Sequence, residues 1–457
     1  MNCIVSSMGR RWVAAAALIA CLGQALAQAP VVNINSQLAI TDLKVVEDPV
    51  RTNPRNGTRA AWTFKNLVTA MAGDKDPSEF VMRILQSWET DQVINGSVAK
   101  ARTAIRSKVI NPWLQASGGT RLDLDKAPFK LLAIVNRMDL RAHDENNVYT
   151  AGEGRFVFGL LGPDGKPLPP LLGAANNPGG FVMIFEYELV ATNRVQLADW
   201  TLRWANLARF PVGSAQYNTA LEDITRRFTD RSRAPHKPNG SAINQIRSNE
   251  LALGDPWELR EFRIENGWMT PHGMAQTPDF IALNGTQALV DLINNNAAAL
   301  LGGTFVLPAN LQAASSLAGA FVAENFPDFG SRTFTAKALS ATKFDIPWSG
   351  AGILDNDARQ AFALNTCGGC HRAETGINFL MVGFPVGHSL PATLGKPAAL
   401  SGFMTGKTIK DPVDQATTRT FNDLDRRKVD LESLIQSFGP SNGGVGPRTR
   451  HFPNFVH

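Results

Sequence analysis

Two cysteines and a histidine near the carboxyl end of the chain, Cys367, Cys370 and His371, have the spacing C-x-x-C-H. This spacing is typical of covalent attachment of a c-type haem. Because only two residues separate the thiols, one turn of backbone can present both sulfurs along one haem edge, where they add to the porphyrin vinyl groups as thioethers. The next side chain, His371, then falls under the iron as its proximal ligand. The pattern therefore predicts one covalently bound haem c.

A pair of cysteines two residues apart can also form a redox-active dithiol or half of a zinc site. A structural zinc site needs four ligands, and the other two cysteines of the chain, Cys3 and Cys21, lie close to its amino end. A thioredoxin-like dithiol follows a strand and begins a helix, whereas a capped amphipathic segment precedes Cys367. Haem attachment is the favoured interpretation, and a redox dithiol is the alternative.

Residues 1–27 have the pattern of a secretory signal peptide: two arginines, an apolar run over 12–22 and an Ala-x-Ala site that ends at Ala27. We expect cleavage after Ala27 and export to the periplasm of a Gram-negative bacterium, the compartment in which bacteria attach c-type haem. The alternative is an outer-membrane lipoprotein anchored at Cys21, since the residues before this cysteine resemble a lipobox. No later segment is predicted to span a membrane.

Composition excludes several classes of protein. The chain has 457 residues, of which 44% are hydrophobic and 19% charged, so a disordered or fibrous protein is not expected. The net charge is +5 and falls to +3 without the two arginines of the signal peptide. So small and evenly spread a charge argues against binding to nucleic acid or to a membrane surface.

Hydrophobic periodicity and turn residues divide the chain into segments. A polar segment at 28–60 precedes a body at 61–345, which mixes helix and strand patterns and whose function the sequence does not indicate. A stretch rich in proline and glycine ends this body, and a haem domain at 350–440 and a flexible tail at 441–457 follow it. The predicted fold class is an α+β body followed by a small all-α domain. Within the body we predict helices at 62–71, 77–88, 197–210 and 216–228, and strands at 129–135, 155–161, 181–190, 244–253 and 257–267.

Residues 350–440 resemble the bacterial cytochrome c domain. A helix that begins with a capping box at Asp357 precedes Cys367, the middle is rich in loops, and an amphipathic helix is predicted over 426–438. The resemblance covers about a fifth of the chain. It implies a single haem attached through Cys367 and Cys370, with His371 as an axial ligand of iron. The body before this region carries no such resemblance.

Cytochromes of this kind commonly supply a methionine downstream of the motif as the sixth iron ligand. Met404 ranks first here, because the longer chain segment between it and His371 can reach around the haem with less strain. Met381 ranks second and His388 third, and an open position remains a further alternative. A methionine ligand raises the potential of the iron and suits one-electron transfer. An open position would instead let peroxide, oxygen or another small ligand reach the metal.

Two groups of acidic residues in the body are predicted to lie in water. Asp139, Asp144 and Glu145, together with His143, could hold a divalent ion. Arg137 and Arg141 supply charge partners, so a solvated loop is the favoured interpretation. Glu186 and Glu188 alternate with aromatic residues, which places them on the wetter face of a strand rather than in a pair for acid–base catalysis.

These patterns predict an exported c-type cytochrome that transfers single electrons in the periplasm. Its body would dock a redox partner protein, or oxidise a small-molecule donor as an oxidoreductase, and pass the electrons to the haem. The alternatives are a haem enzyme that activates peroxide or oxygen at an open iron, and a haem protein that binds or senses a small ligand.

Overall fold

The computed structural model describes most of the chain between Val31 and Phe438. The predicted signal peptide, His388 and the predicted tail lie outside the described residues. The described ranges are 31–143, 147–168, 180–254, 258–314, 346–367, 369–377, 380–385 and 394–438.

A seven-stranded antiparallel sheet, in the order β1-β4-β7-β8-β9-β10-β11, forms the centre of the molecule. The other strands form antiparallel pairs, β2 with β3, β5 with β6, β12 with β13, and β14 with β15. The strands are β1 (Ala39–Ile40), β2 (Gln92–Ile94), β3 (Ser97–Ala99), β4 (Phe129–Arg137), β5 (Ala142–His143), β6 (Val148–Thr150), β7 (Glu153–Leu160), β8 (Val182–Glu188), β9 (Ile243–Asn249), β10 (Glu261–Glu265), β11 (Trp268–His272), β12 (Val382–Gly383), β13 (Ala399–Leu400), β14 (Lys407–Lys410) and β15 (Thr418–Phe421).

Helices surround the sheet. The α-helices are α1 (Ile34–Gln37), α2 (Leu43–Val46), α3 (Phe64–Ala72), α4 (Pro77–Gln86), α5 (Asn111–Ser117), α6 (Arg194–Asn206), α7 (Ala215–Thr229), α8 (Phe280–Leu283), α9 (Gln287–Asn295), α10 (Ala297–Leu301), α11 (Asn356–Asn365), α12 (Gly402–Thr405) and α13 (Asp423–Ser437). Over the part of the chain that the structure describes, no helix combines the length and the apolar character needed to cross a bilayer.

The helices begin where local capping signals place them. Asp76 accepts a hydrogen bond from the backbone N–H of Glu79 at the start of α4, and Pro77 occupies the first turn. A proline suits this position because the N–H it lacks would have no partner within the helix. Helix α4 then buries Val81 and Ile84, as the spacing predicts.

One face of the sheet carries aromatic side chains that pack against helices. Phe156, Phe185 and Tyr187 lie on this face, because side chains on a strand alternate between its two sides. The ring of Phe228 from α7 is 5.6 Å from that of Tyr187, and the ring of Phe64 from α3 is 5.5 Å from that of Phe185. These helices therefore cover this face.

The opposite face is covered by the C-terminal part of the chain. Val157 and Ile184 are paired neighbours on this face, and Gly159 lies two residues beyond Val157. The ring of Phe384 packs on Gly159 so closely that a Cβ there would overlap it. The sheet is thus buried on both sides.

The predicted fold class is therefore wrong, since the C-terminal residues do not form a small all-α domain. Among the described residues they contribute four strands as well as helices, and Met404 and Leu434 belong to the same hydrophobic core as the sheet. The side chain of Asp430 in α13 forms an ion pair of 2.5 Å with Arg141 of the body. The apolar side of α13 is buried against this body, and α11 packs in a second hydrophobic cluster with α9 and α10 of the body, so the C-terminal helices build no core of their own.

Candidate functional site

Helix α11 leads into the C-x-x-C-H motif. Its N-cap is Asp355, whose carboxylate accepts from the N–H groups of Asp357 and Ala358, so the predicted cap at Asp357 is two residues too late. After the helix ends at Asn365, Cys367 follows, and Cys370 lies in a π-helical turn, Gly369–Ala373. The structure thus places the motif directly after a helix end, as the sequence predicts.

The hydroxyl of Thr366 holds the start of the motif. It accepts hydrogen bonds from the indole N–H of Trp348 at 2.8 Å and from the backbone N–H of Gly369 at 3.3 Å, and it donates to the carbonyl of Ala363 at 2.7 Å. A Cβ on Gly369 would overlap this same carbonyl oxygen. Glycine at this position therefore lets the turn fold back onto the end of α11.

Both cysteines of the motif are fully buried and carry free thiols. Burial raises the pKa of the Cys367 thiol to about 12, and it also raises the pKa of Cys370. Redox-active cysteines need a readily formed thiolate and partial exposure. Burial therefore disfavours the redox dithiol. It does not oppose thioether bonds to a haem, because a thioether sulfur has no S–H group to ionise.

His371 lines a cavity between the sheet and the C-terminal segment, and it is 2% exposed. The two methionines predicted as candidate sixth ligands, Met381 and Met404, line the same cavity. The other walls are mostly apolar side chains of the sheet and of the covering segment. They are Val135, Val157, Val182, Ile184, Leu259, Leu380, Val382 and Phe403.

Ser401 connects the two chain segments that carry the methionines. Its hydroxyl lies 3.2 Å from the sulfur of Met381 in a hydrogen bond, and its backbone N–H donates to the carbonyl of Met381. The carbonyl of Ser401 in turn accepts from the N–H of Met404. Thus 22 residues of sequence separate the two methionines, but both line the same cavity.

Sequence reasoning missed the polar residues that the sheet contributes to this cavity, Arg137, Arg155 and Asn249. Arg137 lies two residues after Val135 on β4, so both side chains lie on the same face of the sheet. Alternation along the strand could have placed them together. No local signal could have joined them to a motif more than 200 residues later.

A buried cluster of five charged residues adjoins the cavity, and we call it the arginine–aspartate cluster: Arg137, Asp139, Asp423, Arg426 and Arg427. Asp139 accepts from Arg137 at 2.9 Å and from Arg426 at 2.8 Å, and Asp423 pairs with Arg426 and Arg427. The expectation of a solvated loop is therefore wrong for Asp139, whose side chain is 3% exposed. Burial opposes its ionisation, but the nearby guanidinium groups outweigh burial and hold the pKa of Asp139 well below its usual value.

The cluster also affects Arg427, one of the cavity residues. Burial and repulsion from Arg137 lower the pKa of Arg427 to about 10. Asp423 and Asp139 act in the opposite direction, but they do not outweigh burial.

Glu186 is buried on the cavity side of the sheet, so the prediction of a wet strand face is wrong for it. Its carboxylate lies 2.9 Å from Arg247 and 3.3 Å from Arg155. Burial nevertheless raises the pKa of Glu186. Arginines on the neighbouring strands are what allow this carboxylate to occupy a covered sheet face.

Among the described residues, no three His, Cys, Asp or Glu side chains come close enough together to hold a metal ion. A divalent ion at 139–145 therefore has no support, although Asp144 and Glu145 lie outside the described residues. His371 and the two methionines remain the candidate metal ligands, and His388 cannot be placed with them.

Comparisons of the chain with known protein families, with curated proteins and with solved structures found no match. Its function must therefore be inferred from its own residues.

Proposed function

We propose that this protein is an exported c-type cytochrome that carries one covalent haem and transfers single electrons in the periplasm. One observation carries the proposal: His371 of the C-x-x-C-H motif lines an apolar cavity together with Met381 and Met404. The export signal predicted at residues 1–27 agrees with it, because bacteria attach c-type haem after export.

The residues present fit a haem by their chemistry. Cys367 and Cys370 would hold the porphyrin as thioethers, and His371 would bind the iron. A thioether sulfur from Met404 or Met381 would supply a further iron ligand. The haem, when bound, supplies an iron that alternates between the ferric and ferrous states.

The protein itself provides the surroundings of the haem. Apolar side chains such as Val157 and Ile184 exclude water from the cavity, and buried surroundings and a methionine ligand both affect the potential of a haem iron. The described cavity is narrow, with a free volume of about 40 Å³. A haem is much larger than this space, so binding it requires the side chains around Met381 and Met404 to lie farther from the sheet than they do here.

The direct test is to export the full chain from a bacterium that has the apparatus for c-type haem attachment. We expect a coloured protein whose denatured mass exceeds that of its amino acids by one haem. Single replacement of Cys367 or Cys370 by serine should leave one thioether, and the double variant should lose covalent haem. Cys21→Ser is the matched control and should keep full haem content. A colourless protein with the mass of its amino acids alone would contradict the proposal.

Spectra of the coloured protein then separate one-electron transfer from the other haem functions. A low-spin spectrum that cyanide and carbon monoxide leave unchanged supports electron transfer, because both axial positions of the iron are filled. A high-spin ferric spectrum that shifts with these ligands would instead indicate an open iron, as in an enzyme or a sensor.

A further inference from the structure

Arg137 presents a buried, unpartnered nitrogen at the wall of the cavity. It is the last residue of β4 and is 0% exposed. Its Nε and one terminal nitrogen hold the carboxylate of Asp139, at 2.9 Å and 3.1 Å. The other terminal nitrogen, Nη1, has no hydrogen-bond partner among the residues that the structure describes. Since buried donors are almost always paired, this nitrogen is open to a partner beyond the described residues, and a ligand of the cavity is one that could reach it.

The positive charge around the free nitrogen of Arg137 favours an anionic ligand. The arginine–aspartate cluster holds three guanidinium groups against two carboxylates, and its other ion pairs do not use the free nitrogen of Arg137. Arg155, from the neighbouring strand β7, also lines the cavity, but Glu153 and Glu186 already pair with it. The cluster therefore carries one net positive charge at the wall of the cavity, where Arg137 lies.

The side chains that line the cavity indicate the character of the ligand beyond its anionic group. Apart from Arg137, His371 and a few other polar residues, the cavity is lined mainly by apolar side chains, among them Val135 and Val157. Such a site suits a molecule with an apolar body and a carboxylate at its edge. Guanidinium groups are the preferred partners of carboxylates, with which they form short, charge-assisted hydrogen bonds.

We propose that Arg137 binds a propionate carboxylate of the haem and so fixes the orientation of the porphyrin on the sheet. This inference rests on the proposed function, because it takes the haem as the occupant of the cavity. It assigns to the body of the protein, and not only to the C-terminal motif, a part in holding the cofactor.

The test compares two probes: ferric haem, and the same haem with both propionates methylated. Each probe is titrated into the chain from Gln28 onward, produced without haem, and binding is followed by visible absorption. We expect the wild-type protein to bind free haem about tenfold or more tightly than the ester, as befits a charged hydrogen bond. Arg137→Gln should abolish this preference, and Arg137→Lys should restore part of it.

Arg426→Gln is the matched control. Arg426 belongs to the same buried cluster and also binds Asp139, but it is not among the residues that line the cavity. This control should keep the preference for free haem, and circular dichroism should verify that every variant is folded. An unchanged preference in a folded Arg137→Gln, or equal binding of the two probes by the wild type, would overturn the role of Arg137.

Failure of this inference can be told apart from failure of the proposed function. If the exported protein carries covalent haem but the wild type does not distinguish the probes, the haem assignment stands and the arginine contact is wrong. If the exported protein carries no haem, both are wrong. In the haem-loaded protein, Arg137→Gln should also make the midpoint potential more dependent on pH, because a propionate without its cation titrates at a higher pH. A pH dependence equal to that of the wild type would count against the contact.

Discussion

The backbone N–H of Cys367 donates a hydrogen bond of 3.2 Å to the hydroxyl of Thr277, which lies 90 residues earlier in the chain. Both residues are buried. The carbonyl of Thr277 accepts in turn from the N–H of Ala313. The first cysteine of the motif is therefore positioned by the body of the protein and not by its own helix alone.

Replacing Thr277 by valine removes the partner of a buried N–H at nearly constant side-chain volume. We expect the free energy of unfolding to fall by about 1–3 kcal/mol, the cost of an unsatisfied buried donor. We also expect part of the exported protein to lack the thioether at Cys367, which mass spectrometry of its peptides would detect. The control is Thr201→Val, because the hydroxyl of Thr201 donates within α6, to the carbonyl of Leu197. Equal thioether content in the two variants would contradict this role of Thr277.

Replacing each methionine by leucine identifies the sixth ligand, because leucine keeps the volume but cannot bind iron. The sulfur of Met381 already accepts a hydrogen bond from Ser401, so we expect Met404 to be the ligand. Met404→Leu should then abolish the ferric charge-transfer band near the red end of the spectrum, and Met381→Leu should keep it. The reverse result would identify Met381 as the iron ligand. If neither change alters a low-spin spectrum, both assignments are wrong.

Gly369 has no room for a side chain. In Gly369→Ala, the new methyl group would meet the carbonyl of Ala363 at the end of α11, so the turn of the motif must shift. We expect a loss of stability of about 1–3 kcal/mol, typical of overpacking, together with reduced haem content in the exported protein. Thermal unfolding and visible absorption measure the two effects. Gly162→Ala is the control, since a Cβ there meets mainly side-chain ends. A fully loaded Gly369→Ala would show that the turn tolerates the change.

Asp139 should make the free energy of unfolding depend on pH in the acidic range. Its pKa is lowered in the folded state, so its contribution is present above the ordinary aspartate value of about 4 and is lost as the pH falls below it. At neutral pH we expect Asp139→Asn to cost about 3–5 kcal/mol, because it leaves buried guanidinium groups short of a carboxylate.

The difference between wild type and Asp139→Asn should narrow as the pH is lowered, which urea unfolding at several pH values would measure. Asp125→Asn is the control, since the ion pair of Asp125 with Lys65 is partly exposed and should contribute less than about 1 kcal/mol. A constant difference between wild type and Asp139→Asn at all pH values would refute the linkage.

Much of the secondary structure could be predicted because its causes are local. The cap at Asp76 and the hydrophobic spacing after it predict α4, and the segment predicted as a helix at 216–228 is α7, Ala215–Thr229. Such signals act over a few residues, within one turn or one strand. The strand β11, which contains Pro271, was missed because proline is usually excluded from strand interiors.

The predictions that failed depended on contacts between distant parts of the chain. Asp139 and Glu186 were expected in water because a strand face or loop rich in charge is usually wet. In the structure both faces of the sheet are covered, and Asp139 is paired with Arg426, 287 residues away. The buried carboxylate is stable because this distant arginine pairs with it, and no local sequence pattern predicts the pairing.

The sequence by itself determined the chemistry of the candidate site: two thiols and an imidazole at one fixed spacing, with methionines downstream. The tertiary structure alone decided that His371, Met381 and Met404 line one cavity and that Arg137 lies at its wall. The physical reason is that covalent spacing restricts only near neighbours along the chain. Burial of the C-terminal apolar surface on the sheet is what brings the distant groups together.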